Sequence, residues 1–509
     1  MRDPRVDLVT IDGRTLDPAK VAAVAAGATA VLSDEARARM AANEGWYRTH
    51  ARTDVIRSKW HWLVGGQTPT RAEEAVRLFV VGHCAGVGPL LPADEVRAMI
   101  VVRANALATG HSGVRPEIVD RLLALLHPER VPAVPATGAV GAAGSIQLAH
   151  VARVALGLGG EVLDGDGTAP AAERIAALGP LVATEKEGLS LINGSSWTTA
   201  LAALAVHRAE RVLAAAESAA ALTLEVVRAD LGALSASAAE VRGHAGIEGA
   251  TARLREMVSG SELVTAQRSP DSFSVRCAPA VLGAARDAFV YVSGVVAREL
   301  NAPSDNPLVL PDGGGVIEAG LFHAAPVALV MDHLKAALVQ VASIAERRIF
   351  RLTYGRLSGL PSFLVPGSGV NSGLMLAQYT AASVLAEARA MCVPASTDSI
   401  PTVQHQEDHV SMGPVAARSA LEVVDRVADV VAIELLCAAQ GLDYRIGGRG
   451  VGEAGEIVEV PVQLPGPHTR AVYERVRARV PTWEDDRVLH PDLAALGEAV
   501  RAGVFGGPV

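Results

Sequence analysis

The stretch SSWTTALAALAVHRAERVLAAAESAAALTLEVVRADLGAL, residues 195–234, decides the fold. Its apolar residues recur with a helical period over many turns, and alanine and leucine, which are strong helix formers, dominate it. Two later stretches, 325–353 and 415–440, have the same character. Long alanine-rich helices of this kind predict a helical bundle whose exposed apolar faces need partner subunits.

Composition supports a mainly α fold with a large core. Half of the 509 residues are hydrophobic, but only 4% are aromatic, so tightly packed helices are favoured over β-sandwiches or barrels. Residues 1–200 are predicted to form shorter helices that glycine and proline interrupt, and Thr70 and Glu73 fit a capping box. The short stretches 5–12 and 456–464 favour strands. We therefore expect a smaller N-terminal domain over 1–200, followed by the central long-helix bundle and C-terminal helices over 201–509.

Charge and cysteine usage exclude several classes of protein. The net charge is −9 and lysines and arginines form no block, which argues against a nucleic-acid partner. No uncharged apolar run reaches the length of a membrane span, and the N-terminus has no apolar signal core. The four cysteines show no CxxC spacing. A cytoplasmic protein that binds neither nucleic acid nor membrane is predicted.

Seven polar clusters interrupt the otherwise apolar sequence. A buried polar group without a partner costs a few kcal/mol, so we expect these clusters to converge on a shared site. The sequence contains neither a phosphate-binding Walker loop nor an HExxH zinc motif. The clusters are GHCAGVG (82–88), KEGLSLINGS (186–195), DSFSVRC (271–277), NAPSDNPLV (301–309), SIAERR (343–348), NSGLMLAQYTAA (371–382) and SIPTVQHQEDHVSMG (399–413).

Four motifs carry a family resemblance. KEGLSLINGS, SDNPLV, AERR and QEDHVSMG occur in this order, and the chain from about residue 75 to 495 resembles the aromatic amino-acid ammonia-lyases, in particular those specific for histidine. The resemblance implies a mainly helical, fumarase/aspartase-like homotetramer with a long central bundle and active sites built from three subunits. It also implies removal of ammonia from an amino acid such as histidine, phenylalanine or tyrosine.

The family's cofactor position departs from the pattern. In the family an internal Ala-Ser-Gly cyclises to a methylidene-imidazolone, whose electrophilic methylene derives from the serine. Here GAVGAAGSIQLAH (138–150) places Ala142, Ala143 and Gly144 at that position. Alanine has no leaving group on its β-carbon, so no dehydroalanine can form, and we predict a chain without this cofactor.

Other departures favour natural divergence over a single Ser→Ala change in an ordinary lyase. Pro270 and Phe273 stand where the family has glutamine and a catalytic tyrosine, and Leu321 replaces an asparagine. The family's glycine-rich loop is matched only loosely by YRTHARTD (47–54).

The resemblance implies substrate-binding roles for several retained residues. Arg276 would pair with the substrate carboxylate, for which a guanidinium fork is suited. Asn193 would lie near the cofactor position and the amine. His83 and Glu407 match the residues that contact the substrate ring in histidine-specific members, and Glu407 is also a catalytic candidate.

A second group of candidates includes the base. Tyr47 would be the catalytic base, provided that Arg48, His50 and Arg52 lower its pKa. Phe273, Phe322 and Gln406 are expected to contact substrate. His323 fits the family's Phe-His block, whereas His405 and His409 are interpreted as structural or as support behind the site.

These residues predict an enzyme without a resident cofactor. We expect proton abstraction with elimination, addition or cyclisation on a small polar carboxylate, in specialised metabolism. Two alternatives stay open: a non-catalytic homologue that binds a ligand or partner, and a histidine ammonia-lyase-type enzyme inactivated by a Ser→Ala change.

Overall fold

The fold is mainly helical, as predicted. A computed structural model describes residues 8–64, 68–142, 145–265, 271–451 and 456–506, without the side chains of 60 and 62–64. In these ranges the α-helices are α1 Pro18–Ala25, α2 Asp34–His50, α3 Val55–Val64, α4 Ala72–Gly82, α5 Ala93–Ala108, α6 Pro116–Ala124, α7 Ile146–Ala155, α8 Ala171–Ile175, α9 Glu185–Ile192, α10 Ser196–Val226, α11 Ala236–Arg242, α12 Ala245–Met257, α13 Phe273–Arg276, α14 Ala278–Leu300, α15 Ala325–Thr353, α16 Gly355–Ser358, α17 Met375–Ala390, α18 Gly413–Ile446, α19 Pro467–Arg477 and α20 His490–Arg501.

The strands form small two-stranded sheets. The strands β1 Leu8–Ile11 and β2 Thr29–Leu32 pair in parallel, and the antiparallel pairs are β3 Val87–Leu90 with β4 Pro135–Thr137, β5 Glu161–Asp164 with β6 Gly167–Pro170, β7 Leu308–Leu310 with β8 Gly315–Ile317, and β9 Arg449–Val451 with β10 Ile457–Glu459. The strands predicted within 5–12 and 456–464 correspond to β1 and β10.

The chain divides into two compact units, each discontinuous in sequence. The first comprises residues 1–207, 293–332 and 394–421, and the second comprises 208–292, 333–393 and 422–509. The division at residue 200 that the sequence suggests stays a prediction.

The long helices follow the predicted periodicity, with one difference. Residues 325–353 form α15 throughout, and 415–440 lie within α18. The helix in the opening stretch is shorter than predicted, because α10 ends at Val226 and Arg228 adopts a left-handed backbone with φ of 57°. Residues 231–234 continue only as a 3₁₀ turn, which the side chain of Asp230 caps.

One polar cluster has a structural role in the second unit. Arg348, the last residue of SIAERR, forms a two-pronged ion pair with Glu434 at 2.5 and 2.8 Å, and both side chains are fully buried. Thr223 donates a further hydrogen bond to Glu434, so α10, α15 and α18 are joined by this network. Because removal of one partner leaves a buried charge uncompensated, such a pair constrains how these helices pack.

Two helices, α14 and α15, are long and apolar enough to cross a membrane by length and composition. Inside the fold, 39% and 56% of their most apolar windows are buried. Core helices of soluble proteins pass the same test, so these two helices are weak evidence for a membrane span.

Candidate active site

A strained turn within residues 399–413 positions Glu407. Val403, Gln404 and His405 all have positive φ values, 48°, 53° and 67°, although none is glycine. Such conformations cost on the order of 1–3 kcal/mol each, so surrounding contacts must hold them in place. Thr402 supplies two of these contacts. Its backbone N–H donates a hydrogen bond to the Glu407 carbonyl at 2.9 Å, and its hydroxyl donates one to the Glu407 carboxylate at 2.7 Å.

His83 follows α4 and belongs to the same unit as Glu407. Its Nδ1 lies 2.7 Å from the Phe79 carbonyl, which can only accept, so Nδ1 carries the proton and Nε2 of the neutral ring is an acceptor. Burial lowers the pKa of His83, and the Phe79 carbonyl and the charge of Glu407 partly oppose that shift. The charge of Glu407 therefore reaches this ring, and the predicted roles of both residues in contacting substrate stay predictions.

A cleft of about 420 Å³ opens beside His83. Its lining is mostly apolar, with one guanidinium, and includes Ile56, Arg57, Ala75, Leu78, Phe79 and His83. The Arg57 guanidinium is held by the buried Glu185 carboxylate at 2.5 Å, and Glu185 also accepts the Ile56 and Arg57 backbone N–H groups at the start of α3. The arrangement suits a small, partly apolar ligand with a polar end.

The loop before the cofactor position is fixed on one side by the segment 399–413 and by Ala324, the residue before α15. The Gly141 carbonyl accepts hydrogen bonds from the Ser411 hydroxyl at 2.8 Å and from the Ala324 N–H at 3.2 Å. The Met412 N–H donates to Val140 at 2.8 Å. A Cβ on Gly141, whose φ is +84°, would come within 2.2 Å of the Ser411 oxygen, so only glycine fits here.

The other side of this loop is anchored near Asn193. The Ser145 N–H donates to the Ile192 carbonyl at 2.7 Å, and the Ser145 side chain caps α7. Ala142 is buried at 8% exposure, whereas Ala143 and Gly144 lie outside the described residues. The cofactor position is therefore bracketed between the Gly141 and Ser145 anchors.

Asn193 is oriented by a buried polar network. Its side-chain NH₂ donates to the Asp305 carboxylate at 3.0 Å and to the Asn306 carbonyl at 2.9 Å, which leaves its own carbonyl oxygen as the acceptor. The second Asp305 oxygen accepts from Lys186 at 2.9 Å and from Ser190 at 2.6 Å. The clusters 186–195 and 301–309 thus meet, as predicted.

This network keeps Asp305 ionised. Burial alone would raise the pKa of Asp305, but the charges of Lys186 and Arg103 outweigh burial and hold that pKa well below its usual range. All three side chains are almost completely buried. The sequence signal was the conjunction of KEGLSLINGS with SDNPLV, but Asp305 itself was not singled out.

Tyr47 is buried, and its environment is opposite to the one expected. Its hydroxyl donates to the Arg52 carbonyl at 2.6 Å. Burial and, to a smaller extent, nearby carboxylates led by Glu185 raise the pKa of Tyr47 to about 12. The expected lowering by neighbouring cations is wrong, because Arg52 pairs with Asp54 at 2.5 Å and Arg48 with Glu44 at 3.8 Å. Its role as general base stays a prediction, and this pKa counts against it.

Arg276 and Phe273 lie on the short helix α13 in the second unit. Both are exposed, and the guanidinium lies 4.7 Å from the centre of the Phe273 ring. Within the first unit, Phe322 is half-buried and Gln406 is exposed. The substrate-binding roles of these four residues stay predictions. Pro270 lies outside the described residues.

Two histidines that the sequence did not assign to catalysis form a pair. His323 Nε2 lies 3.2 Å from His409 Nδ1, and the rings stack with centroids 5.2 Å apart and planes 23° from parallel. Burial and the neighbouring His409 lower the pKa of His323, while the His409 backbone, which accepts a hydrogen bond from the same ring, partly opposes this. Among the described residues, no cluster of three or more potential ligands is arranged for a metal ion.

Comparison with known proteins agrees with this architecture. The aromatic amino acid lyase family matches residues 16–478. A histidine ammonia-lyase from Symbiobacterium thermophilum is 43% identical over 497 residues, which are 96% of this chain and 95% of that protein.

Solved structures agree as well. Histidine ammonia-lyase from Trypanosoma cruzi aligns with a TM-score of 0.87 at 35% identity, covering 98% of this chain and 94% of its own. Tyrosine aminomutase from Streptomyces globisporus aligns with a TM-score of 0.89 at 34% identity, covering 98% of this chain and 97% of its own. The fold is therefore the ammonia-lyase fold, as predicted. The chain belongs to the aromatic amino acid lyase family and is a lyase of that family.

Proposed function

We propose that this lyase works without a methylidene-imidazolone and acts on a small polar carboxylate. The observation that carries the proposal is Ala143, at the position bracketed by the Gly141 and Ser145 anchors. Formation of the family's electrophile needs a β-hydroxyl at this position, and alanine has none. The residues of this chain therefore do not fit the cofactor, and no step is assigned to it.

The retained polar groups support an enzyme that binds a substrate of defined polarity. Asn193 presents a fixed acceptor beside the loop, and His83 Nε2 presents a second one near the carboxylate of Glu407. Arg276, exposed on α13, would bind the substrate carboxylate. A ligand with an anionic end and a polar, N–H-bearing head complements this set.

The chemistry that these groups permit is proton transfer. A proton next to an electron-withdrawing group can be removed by a side-chain base, and elimination, addition or cyclisation then follows without a covalent electrophile. The relatives already differ in reaction, since one bears the name histidine ammonia-lyase and another tyrosine aminomutase. One fold can carry out different reactions, so a third reaction on this scaffold is consistent with the relatives.

The decisive experiment compares wild type with Ala143→Ser. Intact mass spectrometry of the wild type is expected to give the mass of the unmodified chain. The Ser variant tests the alternative of an inactivated histidine ammonia-lyase. Loss of two waters together with rapid release of ammonia from histidine in that variant would favour the alternative. No histidine turnover in either protein, together with turnover of another carboxylate by the wild type, supports the proposal.

We also propose a cytoplasmic homotetramer. Several large apolar side chains on the long helices are exposed in the single chain, among them Leu329, Phe350 and Tyr379. Large apolar side chains that a single chain leaves exposed on long helices are typical of subunit interfaces, so partner subunits would cover these helices. A non-catalytic binding homologue remains the second candidate, and absence of turnover with every carboxylate tested would favour it.

A further inference from the structure

The His323–His409 pair lies beside the loop that leads to the cofactor position. His323 immediately precedes Ala324, whose N–H holds the Gly141 carbonyl, and His409 lies two residues before Ser411, whose hydroxyl holds the same carbonyl. Two imidazoles from separate segments are thus placed next to the anchors of one loop. All of these residues belong to the first unit.

The contact between the two rings requires a proton on one of the two facing nitrogens. The His409 backbone accepts a hydrogen bond from the His323 ring, and His323 Nε2 faces His409 Nδ1 at 3.2 Å. When His323 Nε2 carries that proton, His323 Nδ1 is unprotonated in the neutral ring. His409 then accepts through Nδ1 and carries its own proton on Nε2.

A neutral pair in this state is both a base and an acid. Its outer nitrogens are His323 Nδ1, which can take a proton, and His409 Nε2, which can give one. The inner hydrogen bond lets a proton cross from one ring to the other. An elimination needs both functions, because one proton leaves carbon and one is supplied to the leaving group.

We propose that His323 and His409 are the acid–base residues of this site; the inference rests on the proposed function. The C–H proton goes to His323 Nδ1, the C–H electron pair becomes the new carbon–carbon double bond, and the leaving group departs with its bonding electrons. The Nε2 proton of His323 crosses to His409 Nδ1, and the Nε2 proton of His409 protonates the leaving group, a hydroxyl or an amine. The pair ends neutral with both tautomers reversed, and exchange with water at the outer nitrogens restores them.

The test uses variants that keep the inner contact but stop proton transfer. In His323→Gln the amide places an N–H near the position of Nε2, and in His409→Asn the amide places an acceptor near the position of Nδ1. His244→Asn is the control, because His244 is exposed, its side chain does not cap α12, and asparagine is well tolerated at the N-terminus of a helix. All four proteins, wild type included, are prepared as the full chain.

The first readout is hydrogen exchange at carbon in D₂O, followed by proton NMR. The probes are histidine, phenylalanine, tyrosine, their 2-hydroxy analogues and the corresponding 2,3-unsaturated acids. A base at this site would exchange a carbon-bound hydrogen of a probe even without full turnover. We expect both pair variants to lower the exchange rate by about 100-fold or more, and His244→Asn to leave it unchanged.

The second readout is nitrogen NMR of histidine-labelled protein, which needs no substrate. A shared proton requires that His323→Gln shift the His409 resonances and that the wild-type rings titrate as a coupled pair. Independent titration of the two rings would overturn the proposal that His323 and His409 share a proton. Exchange that persists in both variants overturns its catalytic role but keeps the proposed function. Absence of exchange with every probe in the wild type overturns both.

Discussion

Replacing Glu225 with glutamine should make the protein more stable at alkaline pH. Glu225 is completely buried in the second unit and accepts the Gly466 N–H at 2.9 Å. Burial raises its pKa, and hydrogen bonds from Gly466, Thr469 and Ser261 oppose only part of that rise. The net result is a pKa of about 7, compared with an ordinary value of 4.5. The folded state therefore favours the protonated carboxyl.

The sign and size of the effect follow from this pKa. Because the folded-state pKa is raised, the contribution of Glu225 to stability is complete below pH 4.5 and is lost as pH rises through about 7. The corresponding free energy is about 3 kcal/mol at pH 9. Glutamine is neutral at every pH and can still accept the hydrogen bond from the Gly466 N–H. The free energy of unfolding of Glu225→Gln should therefore be close to that of wild type near pH 5 and higher than that of wild type at pH 9.

The assay is urea denaturation from pH 5 to 9 at one fixed protein concentration, since subunit association also contributes to stability. Glu240→Gln is the control, because Glu240 is an exposed glutamate on α11 and its replacement should leave the wild-type pH profile in place. A stability difference between Glu225→Gln and wild type that is the same at pH 5 and pH 9 would refute the reasoning.

Further predictions concern the site and the assembly. Arg276→Ala should weaken binding of a carboxylate substrate by roughly ten- to a hundredfold, since a charge-assisted pair contributes about 1.5–3 kcal/mol; equal Kd values in isothermal titration calorimetry would contradict this. Asp305→Asn should destabilise the protein by about 3–5 kcal/mol, because the buried Lys186 and Arg103 lose their counter-charge, and thermal unfolding measures it. Light scattering at micromolar concentration should give four subunits, and a monomer would rule out a tetramer. Tyr47→Phe should lower kcat more than it raises KM if Tyr47 is the base, and unchanged kcat would remove it from that role.

The elements that the sequence predicted well are those governed by local periodicity. Residues 325–353 form α15 throughout because their apolar residues keep one face over eight turns, and no tertiary contact has to override that pattern. The capping box expected at Thr70 and Glu73 is wrong: α4 begins after Arg71 without a side-chain cap. The structure has a capping box at Thr184 and Glu187 instead. The sequence spacing permits a capping box at either position. Which of the two forms depends on where each helix begins in the folded chain.

The environment of the predicted site residues was less predictable than their identity. The motifs predict a common site for His83 and Glu407; the charge of Glu407 influences the pKa of His83, and their roles toward substrate stay predictions. The same reasoning assigned cations to Tyr47 from its sequence neighbours, but the charges nearest in space are carboxylates from distant segments, led by Glu185. The His323–His409 contact joins residues 86 positions apart and has no local signature.

These proton states decide which group is suited to act as base. With a pKa of about 12, Tyr47 is ionised in roughly one molecule in 10⁵ at pH 7. A catalytic base works best when its pKa is close to the working pH, so Tyr47 would need a large shift on substrate binding. The lowered pKa of His323 keeps its ring neutral at that pH, and a neutral imidazole already has the lone pair that proton abstraction needs. Under the proposed function the reaction relies on proton transfer, and in the proposed histidine pair it is His323 that would act as the base.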